Sequence, residues 1–412
     1  MRTKIILAGV YLVIATCFYL FLLRFLPGEK FPTDSNLIQW DAKWYQQIKD
    51  QGYVFVPYRV CNMAFFPLFP LLWKTLAVSP LTISILNFII FIAAFITMAV
   101  HNKMGNVEFL FILTIPMFVF CALPYSESTF FIFSLITLIG FDRDNTKLQF
   151  LGFLGASLAR SASIVAIPAL LISTILLKNS NKSNLQKAKQ FVWNFVAIAL
   201  GILFSAIMQG GQTGKWFYFL HIQQFWKRHW IIPQVPFTTY APDKMLGIDA
   251  LGLIVGTVCF CFCCAWIYRY LRKEGSCSVT QSVCFSSFYI TGLALLDVFF
   301  TFQRNGGTSI WSIGRHVLCS PFFIYFLIWW IRDLKETNKI GWILIFAITC
   351  VLPISGIFRY PQHIIFILSS LLGVIILKYF PQYNLTLIIL CFINLFFQLE
   401  TFNRYLNGGW IG

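Results

Sequence analysis

Apolar residues fall along this chain in long unbroken blocks, with polar residues gathered in the gaps between them. A helix of a water-soluble domain would show one apolar stripe. Here the blocks are apolar all round for about 20 residues, enough to cross a bilayer. The pattern predicts helices over residues 4–26, 80–100, 107–122, 125–140, 191–209, 249–268, 281–303, 316–331, 339–357, 362–378 and 384–401. That is an all-α, polytopic integral membrane protein with about 11–13 transmembrane helices. The run from Ile5 to Leu23 is longer than a signal-peptide core and no small-x-small site follows it. It is expected to remain as the first helix, with Arg2 and Lys4 holding the N-terminus in the cytoplasm.

The block 148–177 departs from the pattern, because Arg160 stands in its middle, in "SLARSAS". It starts beside Arg143 and Lys147 and ends in the lysine-rich "KNSNKSNLQKAK", so both ends look cytoplasmic. One helix cannot return to its own side. Two half-helices turning near Arg160 to Ser163 would, with Arg160 facing a cavity; a single tilted helix with a snorkelling Arg160 is the alternative. The other basic gaps, at Lys103, at Arg269, Arg272 and Lys273, and at Arg332, Lys335 and Lys339, are short and dense in charge. Two long segments, 27–79 and 210–248, are then outer loops of a single domain, 1–412.

The first outer loop carries "QWDAKWYQQIKDQGY", Gln39 to Tyr53. Trp40, Trp44 and Ile48 recur at i, i+4 and i+8, one stripe of a short helix, with Asp41 and Tyr45 on the adjacent face. The segment is expected to lie in the membrane interface, where tryptophan anchors well. Asp41 reads either as a helix cap or as a functional acid, and Lys49 with Asp50 as solvated surface. In "RVCNMAFFPLFPLLW", Pro67 and Pro70 break the apolar run that holds Phe65 and Phe66, which predicts a second interfacial segment. "PYSES" sets Ser126 and Glu127 at a helix N-terminus, where an acid is favoured. An ionisable group at that depth is also a functional candidate, as is Asp297, for which an arginine partner is expected. "QRNGGTSIWSIGRHVL" adds Arg304, Arg315 and His316 on the same side. With Arg160 these arginines offer rigid donor forks that match phosphate; headgroup snorkelling is the alternative.

Composition sharpens the membrane reading. Of 412 residues, 58% are hydrophobic and only 11% charged, against about 25% charged in soluble domains. The net charge of +16 is scattered between the spans. That argues against nucleic acid and for anionic headgroups and a phosphate-bearing substrate. Most of the 12 cysteines sit inside apolar runs such as "CFCFCC", without zinc spacing. Neither a metal nor another cofactor is expected.

Taken in chain order, "WD" with a short helix ending "GY", then "AFFPLFPLL", "PYSES", "ARSAS" and "GRHVL" resemble the PIG-V mannosyltransferase family. That family includes the second mannosyltransferase of glycosylphosphatidylinositol synthesis and many bacterial relatives. The resemblance spans residues 39 to about 325; beyond Arg332, and in the ending "YLNGGWIG", only spans can be read. It implies the GT-C fold of membrane glycosyltransferases. It also implies a polyprenyl-phosphate sugar donor of dolichyl or undecaprenyl type, a glycan or glycolipid acceptor, and an inverting single displacement. The site would face the periplasm from a bacterial inner membrane, or the lumen from an endoplasmic reticulum membrane. On the matching positions it implies Asp41 as catalytic base, Glu127 as the family's "SE" acid and Arg160 as the arginine of a broken-helix turn. Arg315 matches a late "RY"-like motif in which His316 replaces the usual tyrosine. Arg160, Arg315 and Arg304 would then bind donor phosphate, and Trp40, Tyr45, Phe65, Phe66, Ser126, Glu127 and His316 would contact substrate. The chemistry agrees: a prenyl phosphate leaves as a stable anion, so a base for the acceptor and cations for the phosphate suffice. A lipid or sugar transporter or flippase, which would need polar groups near the midplane, is the rival reading, and a catalytically inactive subunit a third.

Overall fold

The computed structural model describes residues 1–412 apart from 26, 27, 29, 177–182, 274–278, 305, 335 and 336. Lys178, Lys182 and Lys335 of the basic gaps lie outside the described residues. The chain opens with α1 (Arg2–Phe25), followed by α2 (Asp41–Gln51) and α3 (Leu68–Leu76). Then come α4 (Pro80–His101), α5 (Asn106–Leu113), α6 (Glu127–Asp142), α7 (Thr146–Ala159), α8 (Ala166–Leu176) and α9 (Asn184–Thr213). After the one-turn α10 (Tyr218–His221) follow α11 (Pro242–Leu271), α12 (Gln281–Phe299), the short α13 (Ile313–Leu318) and α14 (Pro321–Arg332). The chain closes with α15 (Thr337–Thr349), α16 (Pro361–Tyr379) and α17 (Asn384–Leu406).

Among the described residues, α1, α4, α9, α11, α12, α16 and α17 are the seven helices long and apolar enough to cross a membrane. The count is eight if the 3-10 turn Pro116–Ala122 and α6, bent by 105°, form one broken span. The protein is thus an all-α, multi-pass membrane protein with fewer full spans than expected. Prolines account for much of the difference, since each lacks an N–H donor and punctuates a helix. Pro116 ends the predicted 107–122 helix early, and Pro321, behind the capping Ser320, divides the predicted 316–331 helix. The predicted 281–303 helix stops at Phe299 because Phe300–Thr301 pairs as a strand with His229–Trp230. A second small sheet aligns Phe237–Thr238 with Gly307–Ser309 and Gln303–Arg304. Both sheets tie the 214–241 loop to the α12–α13 connection.

The bend before α6 is held from α4. Buried Asn87 donates to the carbonyls of Leu123 at 2.6 Å and Tyr125 at 3.1 Å, and Ser84 donates to that of Ala122. These bonds satisfy backbone acceptors that a continuous helix would have used internally. α6 and α7 pack back to back through glycines: a Cβ on Gly152 would lie 2.5 Å from the Thr137 backbone nitrogen. α7 then runs parallel to α9, because Gln149 meets Asn194 and Ser157 meets Gly201. Two parallel helices with only α8 between them require the chain to return along α8. At Arg160 the backbone is extended, with φ −149° and ψ 141°. The single tilted helix is therefore excluded and the broken one adopted.

At the end of the bundle away from Asp41, Asp142 accepts from Ser282 at 2.5 Å and Tyr325 at 3.2 Å and pairs with His101 at 2.8 Å. Nearer Asp41, α13 is pressed onto α11. A Cβ on Gly252 would lie 2.8 Å from the Gly314 Cα, and one on Gly314 would lie 2.8 Å from the Ile248 carbonyl. Buried Asp249 fixes the same contact: it accepts from the Gly314 N–H at 3.1 Å and from the Thr239 hydroxyl. Gly314→Ala is expected to cost about 1–3 kcal/mol through this overlap. Gly211→Ala, with nothing within 4 Å of its Cβ, should leave the thermal unfolding midpoint in detergent unchanged, and the two midpoints measured side by side test the contact.

Candidate functional site

Asp41 is the first residue of α2. The residue before it, Trp40, adopts a left-handed φ of 49°, and its indole N–H donates to the Gly409 carbonyl at 3.0 Å. Its ring meets Trp410 edge to face at 5.0 Å. The buried face of α2 is Ala42, Tyr45 and Ile48. This corrects the expected Trp40–Trp44–Ile48 stripe: Trp44 is only half-buried and lies over Phe65 at 6.3 Å. Tyr45 buries its ring and bonds the Ser126 hydroxyl at 2.7 Å. Asp41 makes no cap hydrogen bond; its Oδ2 accepts from Arg315 Nη1 at 2.7 Å instead.

Glu127 opens α6 just after the bend and is fully buried, at 0% exposure. Its Oε1 accepts from Arg160 Nη1 at 2.7 Å and from Arg315 Nε at 2.6 Å, with Arg315 Nη2 also at 2.6 Å. Its Oε2 is buried without a partner among the described residues. Arg315 itself is only 5% exposed. Its guanidinium lies over Phe120 at 4.6 Å and Tyr125 at 4.8 Å, and its Nη1 also meets the Gly412 carbonyl at 3.2 Å. Burial alone lowers the pKa of this guanidinium, but the carboxylates of Glu127 and Asp41 outweigh it and hold the group firmly charged, above its usual range. Arg315 is thus engaged at Nε, Nη1 and Nη2 alike. Arg160 bonds Glu127 through Nη1 alone, lies over the Phe130 ring at 5.7 Å and lines a cavity.

That cavity, of about 150 Å³, brings together Asp41, Arg160, Arg315 and His316 with Tyr45, Phe65 and Phe66. Seven residues anticipated from the sequence therefore share one wall. Ser126 and Glu127 stand behind it, buried, and Trp40 stands behind Trp410. Arg304 is not part of the cluster: it lies over the Tyr240 ring at 4.9 Å and lines a neighbouring cavity. Asp297 finds its arginine in Arg228, at 3.8 Å, but its closer partner is His316 Nδ1, at 2.8 and 3.0 Å from the two carboxylate oxygens. Burial lowers the His316 pKa and Asp297 only partly opposes it.

Trp226, Arg228, Trp311 and Trp410 also line the cavity, and the sequence reading missed them. A signal for the first two was present, since "QQFWKRHW" packs cations and aromatics into the second outer loop. For Trp410 there was none: its place follows from stacking on Trp311 at 5.3 Å. Among the described residues no group of three or more His, Cys, Asp or Glu side chains could hold a metal ion. Comparison with protein-family models, curated proteins and solved structures finds no match.

Glu127→Ala strands two guanidinium groups and is expected to cost about 3–5 kcal/mol, as removal of one member of a buried ion pair does. Lys49→Ala, which breaks the half-exposed Lys49–Asp50 pair, should cost no more than about 1 kcal/mol; thermal unfolding of both variants decides. A second expectation concerns pH. Because the folded protein lowers the His316 pKa below the unfolded value of about 6.5, the native state binds fewer protons. Its contribution is complete above about pH 6.5 and is lost as pH falls through the native value. Melting temperatures between about pH 7.5 and 5 should fall less steeply in His316→Gln than in the parent protein.

Proposed function

We propose that this cavity transfers a hexose, mannose by resemblance to the PIG-V family, from a polyprenyl-phosphate donor to a lipid-linked or surface glycan. The protein would then act as a glycosyltransferase of the GT-C kind. The observation that carries the reading is the Asp41–Arg315 contact of 2.7 Å on a cavity wall shared with Arg160. It puts a carboxylate that can take a proton beside guanidinium groups that can receive a phosphate.

In the reaction an acceptor hydroxyl oxygen forms a bond to the anomeric carbon from the face opposite the phosphate. The bond between that carbon and the phosphate oxygen breaks, its electron pair leaving with the polyprenyl phosphate, and the hydroxyl proton passes to Asp41. Arg160, which lines the cavity, meets the charge that grows on the leaving phosphate, while Arg315 keeps Asp41 and Glu127 in register. One displacement inverts the anomeric carbon, so a β-linked donor gives an α-linked product. An apolar cavity of about 320 Å³ begins at Leu318, one turn beyond Arg315, and reaches Trp330 and Lys378 at the other end of the bundle. It supports the reading by offering a slot for a prenyl chain. On the pattern of basic gaps the Asp41 end would face the periplasm or lumen.

Synthetic polyprenyl-phosphate mannose, offered with a membrane glycolipid extract to protein in nanodiscs, provides the test. Asp41→Asn should lower turnover by about 10²–10⁴-fold, the usual contribution of a general base. Near-parental turnover would remove Asp41 as the base. Movement of the donor across liposomes without any sugar transfer would assign the flippase reading instead.

A further inference from the structure

A second and larger cavity adjoins the first. It is an open cavity of about 810 Å³, within the usual range for small-molecule sites. Trp226 and Trp311 line both cavities, so they form the partition between them. Lys227, His229 and Arg304 supply three basic side chains to the larger cavity, and among the described residues no carboxylate lines it. Its remaining surface is largely aromatic. The smaller cavity differs, since it has the Asp41 carboxylate in its wall.

The frame of the larger cavity is built rather than draped. Arg304 belongs to the hairpin that pairs with Gly307, and its guanidinium lies over Tyr240 at 4.9 Å. Tyr240 packs against Trp311 at 6.1 Å, and Trp311 is backed by Trp410 at 5.3 Å. His229 sits on a strand paired with Thr301, and its ring nitrogen bonds the Lys227 carbonyl at 3.0 Å. The partition carries a further mark. The indole N–H groups of both Trp226 and Trp311 are buried without an acceptor among the described residues. Buried donors are normally paired, and one left unmade is costly. Both rings belong to the aromatic border that the two cavities share.

These features converge on one chemical class. Cations without a competing acid select an anion. Flat aromatic walls cover the C–H faces of a ring. We infer that the larger cavity binds a phosphorylated saccharide. Its phosphate lies against Arg304 and Lys227, and its ring lies on the Trp226–Trp311 partition. Resting on the glycosyltransferase reading, this ligand is the acceptor, reaching past the edge of Trp226 and Trp311 toward Asp41 in the adjoining cavity. Arg304 then belongs to the acceptor and not to the donor phosphate.

Binding can be measured without turnover, so the site and the reaction fail separately. The full-length protein in nanodiscs of neutral phosphatidylcholine is titrated calorimetrically with mannose 6-phosphate, mannose and inorganic phosphate. Mannose 6-phosphate should bind at least about tenfold tighter than either part alone, because charge-assisted hydrogen bonds and ring packing add. Lys227→Gln combined with Arg304→Gln should weaken it by about tenfold or more, while Lys49→Ala, at a position that lines neither cavity, should leave it unchanged. Both basic side chains reach the surface of the cavity, and a melting curve matching the parent's certifies the double variant. Equal affinity for mannose and mannose 6-phosphate, or an unaffected double variant, would overturn the inference. Inorganic phosphate binding as tightly as mannose 6-phosphate would do the same. Discs containing phosphatidylglycerol separate the sources of the phosphate. A loss of affinity that persists at about 0.5 M salt, where surface charge is screened, marks a bulk lipid headgroup as the natural anion, and an unchanged affinity marks the phosphate of the acceptor saccharide itself.

Discussion

One oxygen of one buried glutamate sets the terms for the rest of this molecule. Glu127 Oε1 receives both Arg160 and Arg315 in a place where water does not reach. A carboxylate in such surroundings is tolerated only if it is paired and hydrogen-bonded. The pairing is geometrically demanding, because the two guanidinium groups come from the break after α7 and from the short α13. The irregular backbone of the molecule gathers around it: the bend of 105° before α6, the extended Arg160 and the Gly252–Gly314 contact. Each of these features positions one of the three charged groups.

The geometry also divides labour between the arginines. Arg315 lies against two aromatic rings and bonds Glu127, Asp41 and the Gly412 carbonyl along its edge. A planar fork suits such a niche where a point charge such as lysine would not. Arg160 is less engaged and faces the cavity. The first therefore acts as a strut that holds two carboxylates apart, and the second as the more available cation. Asp41 stands at the boundary, partly exposed, with a strut on one side and the cavity on the other.

Much of this was legible in the sequence, for a simple reason. In a chain this apolar, each charged residue in or beside a block is conspicuous: Arg160 and Glu127 stood inside blocks, and Asp41 and Arg315 at the edges of them. Arg160 was found together with its helix break, because basic residues at both ends of one block cannot belong to one helix. Periodicity served less well. A stripe at Trp40, Trp44 and Ile48 and one at Ala42, Tyr45 and Ile48 both fit a helical turn, and only packing against Ser126 and Phe69 chooses between them. Arg304 looked like a companion of Arg315 because it is near in sequence, yet a hairpin turns it over Tyr240. Trp410 and Gly412 could not be placed at all, since their partners Trp40, Trp311 and Arg315 are distant in sequence.

The spacing of the Glu127 partners along the chain has a bearing on biosynthesis. Arg160 follows Glu127 by 33 residues, whereas Arg315 follows it by 188. A chain that emerges from its N-terminus can thus neutralise the glutamate with Arg160 while α6 and α7 assemble as a hairpin. The second guanidinium arrives only after α11 and α12 have been made, and it brings Asp41 into the cluster when it docks. Trp40 waits longer still, for a carbonyl 369 residues away. The ribosome therefore delivers a protected acid early and a finished cavity last, so an incompletely translated chain carries a neutralised ion pair but no assembled site.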